Sequence, residues 1–183
     1  LRKNNVEVVN GEAKFKTPNT IEVGDTRTLT AKNIIVATGA SPRSIPPLPI
    51  DGETVITSRN ALELDDLPET VAIVGGGATG AEFSYLYNAY GVDVTLIEAL
   101  PNILPNEDLD ISVELEKSFS KQGIKIMTGS MVNQMSKNGN RAVLEVLQGD
   151  EKAAVEVDKV LVCVGVQANT EGIGLEEVGV ELE

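Results

Sequence analysis

The chain has 183 residues, with 15 lysines and arginines against 28 aspartates and glutamates, for a formal net charge of -13. A surface this acidic repels nucleic-acid phosphates and anionic lipid, so neither nucleic acid nor membrane is expected as a partner. With 42% hydrophobic and 23% charged residues, the composition suits one good core, or one core and part of a second.

No apolar run approaches the ~20 residues of a membrane span. Leu1 to Asn5 lead into no apolar segment of the secretory kind, which points to the cytoplasm, or to an organelle matrix or stroma. The chain opens on near strand-like sequence and stops at Glu183 without a closing element, and it reads as a piece of a longer protein. Cys163 is the sole cysteine and there is no histidine. Internal disulfides, zinc clusters and a histidine general base are thereby excluded.

From Val6 to Val36, short apolar segments alternate with Asn10-Gly11, Pro18-Asn19 and Gly24-Asp25, the pattern of an antiparallel meander that includes Val6-Val8-Val9. Asn33 to Gly39 is a β-branched run and predicts a strand buried on both faces. Four prolines between Pro42 and Pro49 mark a connector and a domain boundary. Ser58 to Leu64 predicts a short capped helix, and Val71 to Val74 a buried strand that runs into the glycine cluster. Ala78 to Tyr90 reads as a helix with Phe83, Leu86, Tyr87 and Tyr90 on its packed face, ended by Gly91; Tyr85 is counted with the packing aromatics.

Val92 to Ile97 is the next strand. A helix from about Glu107 to Gln122 follows, facing inward through Ile111, Leu115 and Phe119. Strands are expected at Ile124–Ile126, Met131–Met135, Ala142–Leu147 and Ala153–Val157, with Asn138-Gly139 as a hairpin turn, and Val160 to Gly165 closes the set. Successive βαβ crossovers place parallel strands in one sheet.

Gly75, Gly77 and Gly80 fall directly after a buried strand and open a helix. In that setting Gly75 permits the tight turn, Gly77 lets a pyrophosphate approach the backbone, and Gly80 lets helix and strand pack closely. The helix N-terminus supplies free N–H groups and a positive dipole end for the anion. Glu98 ends the following strand about 18 residues after Gly80, where a carboxylate accepts both ribose hydroxyls of adenosine and repels a 2′-phosphate. The competing reading is a solvated loop glutamate after a structural glycine turn. No arginine occurs between Arg59 and Arg141, so NAD is favoured over NADP. Glu82 reads by itself as an anion placed well near a helix start. Cys163, inside an apolar run, reads as a small buried hydrophobe.

With these residues placed, three blocks resemble the pyridine nucleotide–disulfide oxidoreductases, flavoproteins with two dinucleotide sites. They are Asn33 to Arg43, Val74 to Glu82, and Val160 to Glu183 with Gly165 and Asn169-Thr170; Asn10 to Phe15 resembles the meander before them. The resemblance implies an α/β, Rossmann-like FAD/NAD(P)-binding fold with a central parallel sheet, a β-meander and flanking strands from the FAD domain. Residues 1–43 would then be the end of an FAD-binding domain, 44–168 the NAD domain and 169–183 the return to the FAD domain.

On the same basis NAD would lie on Gly75, Gly76, Gly77, Ala78, Thr79 and Gly80, with Glu82 at the nicotinamide end, Glu98 on the ribose, and Val132 and Gly165 lining the site. Ala13, Thr38, Gly39 and Ala40 would touch FAD. Ala78 and Thr79 stand where the family commonly has bulkier apolar residues, and Val166-Gln167-Ala168 replaces a frequent Arg-Arg-Pro. The implied whole-protein activity moves electrons from dihydrolipoamide, carried by an acyltransferase complex, through a disulfide and FAD to NAD+ in a homodimer. The chain as given lacks the redox cysteine pair and the catalytic histidine. Alternatives are a sibling (an NADH oxidase, mercuric reductase or coenzyme A disulfide reductase) and a non-enzymatic NAD sensor, which would close near Gly165.

Overall fold

The computed structural model describes residues 2–182 and divides the chain into two compact units. One comprises Leu1–Ser41 with Ala168–Glu183, and the other is the uninterrupted stretch Pro42–Gln167.

In the first unit, β1 (Ala13–Thr17), β2 (Thr20–Val23) and β3 (Arg27–Thr30) form an antiparallel meander in that order. The Asn19 side chain fastens its end by donating to the Ala31 and Lys32 carbonyls, each at 3.0 Å. The Phe15 N–H donates to the Ile173 carbonyl at 2.8 Å, so the returning C-terminal segment takes the free edge of β1. That edge is therefore closed to Val6-Val8-Val9. The expected strand there does not form, and Val6 and Val8 are exposed.

A second expectation fails nearby. Asn33 to Gly39 is not a strand, and Ile35 is 92% exposed. Its β-branched residues favour extended backbone, but a buried parallel strand needs a neighbour on each side. No described strand of this unit flanks it. Its carbonyls are met instead by Asn169, which donates from its backbone N–H to Gly39 at 3.0 Å and from its side chain to Thr38 at 3.2 Å. β4 (Ala40–Pro42) then lies at the first crossing between units.

The second unit is built on a five-stranded parallel sheet. Its strands are β5 (Val55–Ile56), β6 (Thr70–Val74), β7 (Asp93–Ile97), β8 (Lys125–Met127) and β12 (Lys159–Val162), in the order β5-β12-β6-β7-β8. Helix α1 (Ser58–Leu62) follows β5, α2 (Ala78–Ala89) joins β6 to β7, and α3 (Leu109–Lys121) joins β7 to β8. An antiparallel meander of β9 (Ser130–Asn138), β10 (Arg141–Gln148) and β11 (Glu151–Val157) precedes β12. Gly139 turns its first hairpin at a left-handed φ of +61°. β13 (Val166–Ala168) stands at the return crossing.

Both faces of the sheet are covered, which explains the uninterrupted apolar runs. Val71, Ile73, Leu96 and Leu161 meet α2 and α3 through Ala81, Phe83, Tyr87 and Phe119. The alternate residues Ala72, Val74, Val160 and Val162 meet the meander through Val132, Ala142, Leu144 and Val146. Each fully buried side chain of this size contributes roughly 1.5–3 kcal/mol. No helix among the described residues is long and apolar enough to cross a membrane.

The helix faces match the expected ones in part: Phe83 and Tyr87 in α2, and Leu115 and Phe119 in α3, pack inward as expected. α2 packs through Gly80, Ala81, Phe83, Ser84 and Tyr87, while Tyr85, Leu86 and Tyr90 are exposed. Gly80 is pressed against the end of β6, and this contact turns the small residues inward. In α3, Ser112 and Phe119 are buried and Leu115 and Glu116 half-buried, while Ile111 is 55% exposed. Element ends move by a few residues: α2 stops at Ala89, α3 starts at Leu109, and β12 ends at Val162, before Cys163.

Asp51 anchors the start of the sheet. Its Oδ1 accepts the N–H groups of Glu53, Thr54 and Val55 at 2.9, 2.7 and 2.8 Å, and Lys137 Nζ stands 3.3 Å from Oδ2. Burial alone would raise its pKa, but the three N–H groups and Lys137 outweigh it and lower the carboxyl to about 2. The Asp51→Ala variant should lose about 1 kcal/mol at neutral pH, as for loss of a capping side chain. Since the folded pKa lies below the unfolded value of ~3.9, the wild-type advantage is full above that value and vanishes as pH falls through about 2. Denaturant unfolding of both proteins from pH 7 to pH 2 checks this, and a constant gap in acid refutes it.

Candidate functional site

The chain leaves β6 at Val74 and reverses at Gly75, which holds φ +106°. A Cβ at Gly75 would lie 2.4 Å from the Cys163 carbonyl oxygen, so only glycine passes between β6 and the end of β12. At Gly80 a Cβ would lie 1.9 Å from the Gly75 carbonyl oxygen. The first turn of α2 thus sits in backbone contact with the strand exit. Gly77 is the N-cap of α2, with no side-chain cap and no acidic residue in the first turn. Space is open where its Cβ would be. The leading N–H groups of α2 are left to a ligand, at the positive end of its dipole.

This corner lies where β7 and β8 extend the sheet to one side of β6 while β12 and β5 extend it to the other. Such a switch point is where open α/β sheets bind ligands, at the C-terminal strand ends. A cavity of about 670 Å³ occupies it, lined by Gly75, Gly77, Ala78, Thr79, Glu98, Val132 and Gly165 among the residues singled out from sequence. Gly76 and Gly80 stand behind it. A Cβ at Gly76 would come within 3.0 Å of Glu98 Cβ and 3.1 Å of Ile103 Cγ2. Glu82 is exposed and is not part of the lining.

Glu98 is only 7% exposed. Its Oε2 accepts the Gly76 N–H at 2.5 Å and its Oε1 the Leu100 N–H at 2.7 Å. It is thus no solvated loop glutamate, and each oxygen keeps a second lone pair for a ligand hydroxyl. Among the described residues, no lysine or arginine lines the cavity. The arrangement fits an uncharged diol beside Glu98 and a diphosphate at the start of α2, and it offers a further phosphate on the diol no cationic partner.

The walls include residues that the sequence reading passed over. Pro42, Ile45 and Pro47, read only as a connector, form one side, and Pro105 and Asn106 another. Cys163 also lines the cavity and is half-buried, not enclosed in a strand. Burial pushes its thiol up to about 12, so it is protonated at neutral pH and is no nucleophile.

The four residues assigned to a second cofactor lie in the other unit. Thr38 and Gly39 line a separate, largely apolar cavity of about 470 Å³ with Phe15, Ile34, Val36 and Leu175. Ala13 on β1 and Ala40 at the start of β4 are exposed and do not line it.

A glycine loop, a buried acid and a parallel sheet with its switch point define a dinucleotide-binding class of protein. The whole sequence, residues 1–183, matches the family model "Pyridine nucleotide-disulphide oxidoreductase", and the chain belongs to that family. It is 39% identical over 189 residues to the dihydrolipoyl dehydrogenase of Mycobacterium leprae, covering 100% of this chain and 40% of that protein. Against the dihydrolipoyl dehydrogenase of Chlorobaculum parvum it is 42% identical over 194 residues, again with 100% and 40% covered.

Among solved structures, LpdA from Mycobacterium tuberculosis superposes with a TM-score of 0.85 at 33% identity, covering 100% of this chain and 41% of that one. The HOCl-induced flavoprotein disulfide reductase RclA from Escherichia coli gives 0.82 at 29%, with 98% and 40% covered. The chain therefore spans about two-fifths of the length of the relatives it matches.

Two outcomes are expected from this geometry. Gly80→Ala forces α2 off the strand exit and should cost about 1–3 kcal/mol, as overpacking does, whereas Gly77→Ala has room and should unfold within about 0.5 kcal/mol of wild type. Equal losses in denaturant unfolding would refute the distinction. Cys163 should resist maleimide at pH 7 in the native chain and react at once in denaturant, as followed by mass spectrometry. Rapid native labelling would refute the protonated, half-buried thiol.

Proposed function

We propose that residues 42–167 form the NAD site of a flavin-dependent disulfide oxidoreductase, and that residues 1–41 and 168–183 belong to its FAD-binding domain. The observation that carries the first assignment is the Glu98 carboxylate, buried on the cavity wall and bonded to the glycine loop itself. Gly77 and the first turn of α2 bind the pyrophosphate, and Glu98 orients the adenosine ribose through its free lone pairs. Gly165 and Val132 bound the cavity, and Glu82 serves the nicotinamide end.

Bound NAD supplies a hydride acceptor and FAD the electron relay. The protein's contribution is orientation, which converts an encounter into a held geometry.

For the whole protein we infer dihydrolipoamide oxidation by NAD+ through FAD, in a homodimer acting on lipoyl groups of an acyltransferase complex. The support is the 36–42% identity to dihydrolipoyl dehydrogenases over the chain. One cysteine with a raised pKa cannot supply the disulfide half of that reaction, so these 183 residues bind cofactor without completing turnover. A sibling disulfide reductase is the second reading, favoured by the superposition on RclA.

Calorimetric titration of this chain should show weak NADH binding, with NADPH at least about tenfold weaker. Glu98→Ala should abolish the preference by weakening NADH much more than NADPH, and no FAD should copurify. Equal affinity for the two nucleotides in the wild type would refute the role given to Glu98.

A further inference from the structure

Helix α3 turns two polar side chains inward. Ser112 is buried and Glu116 half-buried, among Leu115 and Phe119. They lie one turn apart, at i and i+4, and therefore share a face. Both reach the same target, the loop of residues 99–108 between β7 and α3. Glu116 Oε1 accepts the Ile103 N–H at 3.1 Å, and the Ser112 hydroxyl donates to the Leu104 carbonyl at 3.4 Å.

This loop requires fastening. Leu104 sits at φ +48°, a left-handed conformation that leucine rarely adopts and that persists only where surrounding contacts over-determine it. Its N–H donates to the Gly76 carbonyl at 2.7 Å, which ties the loop to the glycine turn. Ile103 is fully buried and packs on the Gly76 position. The next two residues, Pro105 and Asn106, line the cavity. A half-buried carboxylate loses hydration that an apolar residue would not need, unless it is used.

We propose that Glu116 is a positioning residue for the nucleotide. It holds Ile103, and with it the left-handed Leu104 turn, so that Pro105 and Asn106 form the wall beside Glu98 that receives the adenosine end. The proposal rests on the NAD reading above. Glu116 touches no ligand; it acts through the loop, and Ser112 is its weaker companion.

The test uses the 183-residue chain as wild type, Glu116→Leu, Glu116→Gln and Ser112→Ala. NADH, ADP-ribose and nicotinamide mononucleotide are titrated by calorimetry, and amide exchange is read at Ile103 and Leu104. Glu116→Leu should raise Kd for NADH and ADP-ribose about tenfold, leave nicotinamide mononucleotide unchanged and speed exchange at both amides. Glu116→Gln keeps an accepting oxygen and should stay within about twofold of wild type. If Glu116→Leu does not fold, Ser112→Ala reads the same loop and should weaken the same two ligands by a smaller factor.

Wild-type affinities in the leucine variant, or in the alanine variant where that one stands in, overturn the proposal. A uniform loss across all three ligands overturns it too, since that marks general loss of structure. A wild-type chain that binds neither NADH nor ADP-ribose overturns the NAD reading and this proposal together, which no variant comparison can mimic.

Discussion

The approach of Gly80 to the carbonyl oxygen of Gly75 is the constraint on which the rest of the second unit depends. No side chain fits between them. The contact brings the start of α2 onto the exit of β6 and fixes how far the helix is rotated. Gly80, Ala81, Phe83, Ser84 and Tyr87 become its inner face, and Leu86 and Tyr90 are left in solvent. It also leaves the first-turn N–H groups at the strand ends, next to the open space at Gly77. Fold and site share one steric condition.

Glu98 is the second junction. Its two oxygens are divided between Gly76 and Leu100, so one carboxylate holds the glycine turn and the chain that follows β7. Leu104 returns the tie by donating to Gly76 from the far end of the same loop. The glycine turn is therefore bonded from its front and from its side. A ligand hydroxyl arriving at Glu98 would meet an acceptor already held in place, with little ordering left to do.

The sequence was legible where the constraint is local. Strands β6, β7 and β12 announce themselves as apolar runs because both faces are covered, and the glycine spacing placed the reversal and the start of α2. It was not legible where a neighbour decides. Periodicity finds Phe83, Tyr87, Leu115 and Phe119 on the inner faces of α2 and α3, but the rest of those faces depends on Gly80 and on the loop that Ser112 and Glu116 grip. Asn33 to Gly39 has the composition of a buried strand and no described partner strands in its unit. The cavity walls at Pro42–Pro47 and Pro105–Asn106 come from chain path, and residue type gave no signal for them.

The hydrogen bond from Phe15 to Ile173 has a consequence for the order in which the molecule is made. Residues 42–167 are contiguous and can complete their sheet as soon as β12 has left the ribosome. The meander of β1 to β3 precedes them and must wait with the edge of β1 unfilled until the segment around Ile173 emerges. Domains usually finish from the N-terminus onward during synthesis. Here the uninterrupted unit can close before the unit whose two segments flank it is sealed.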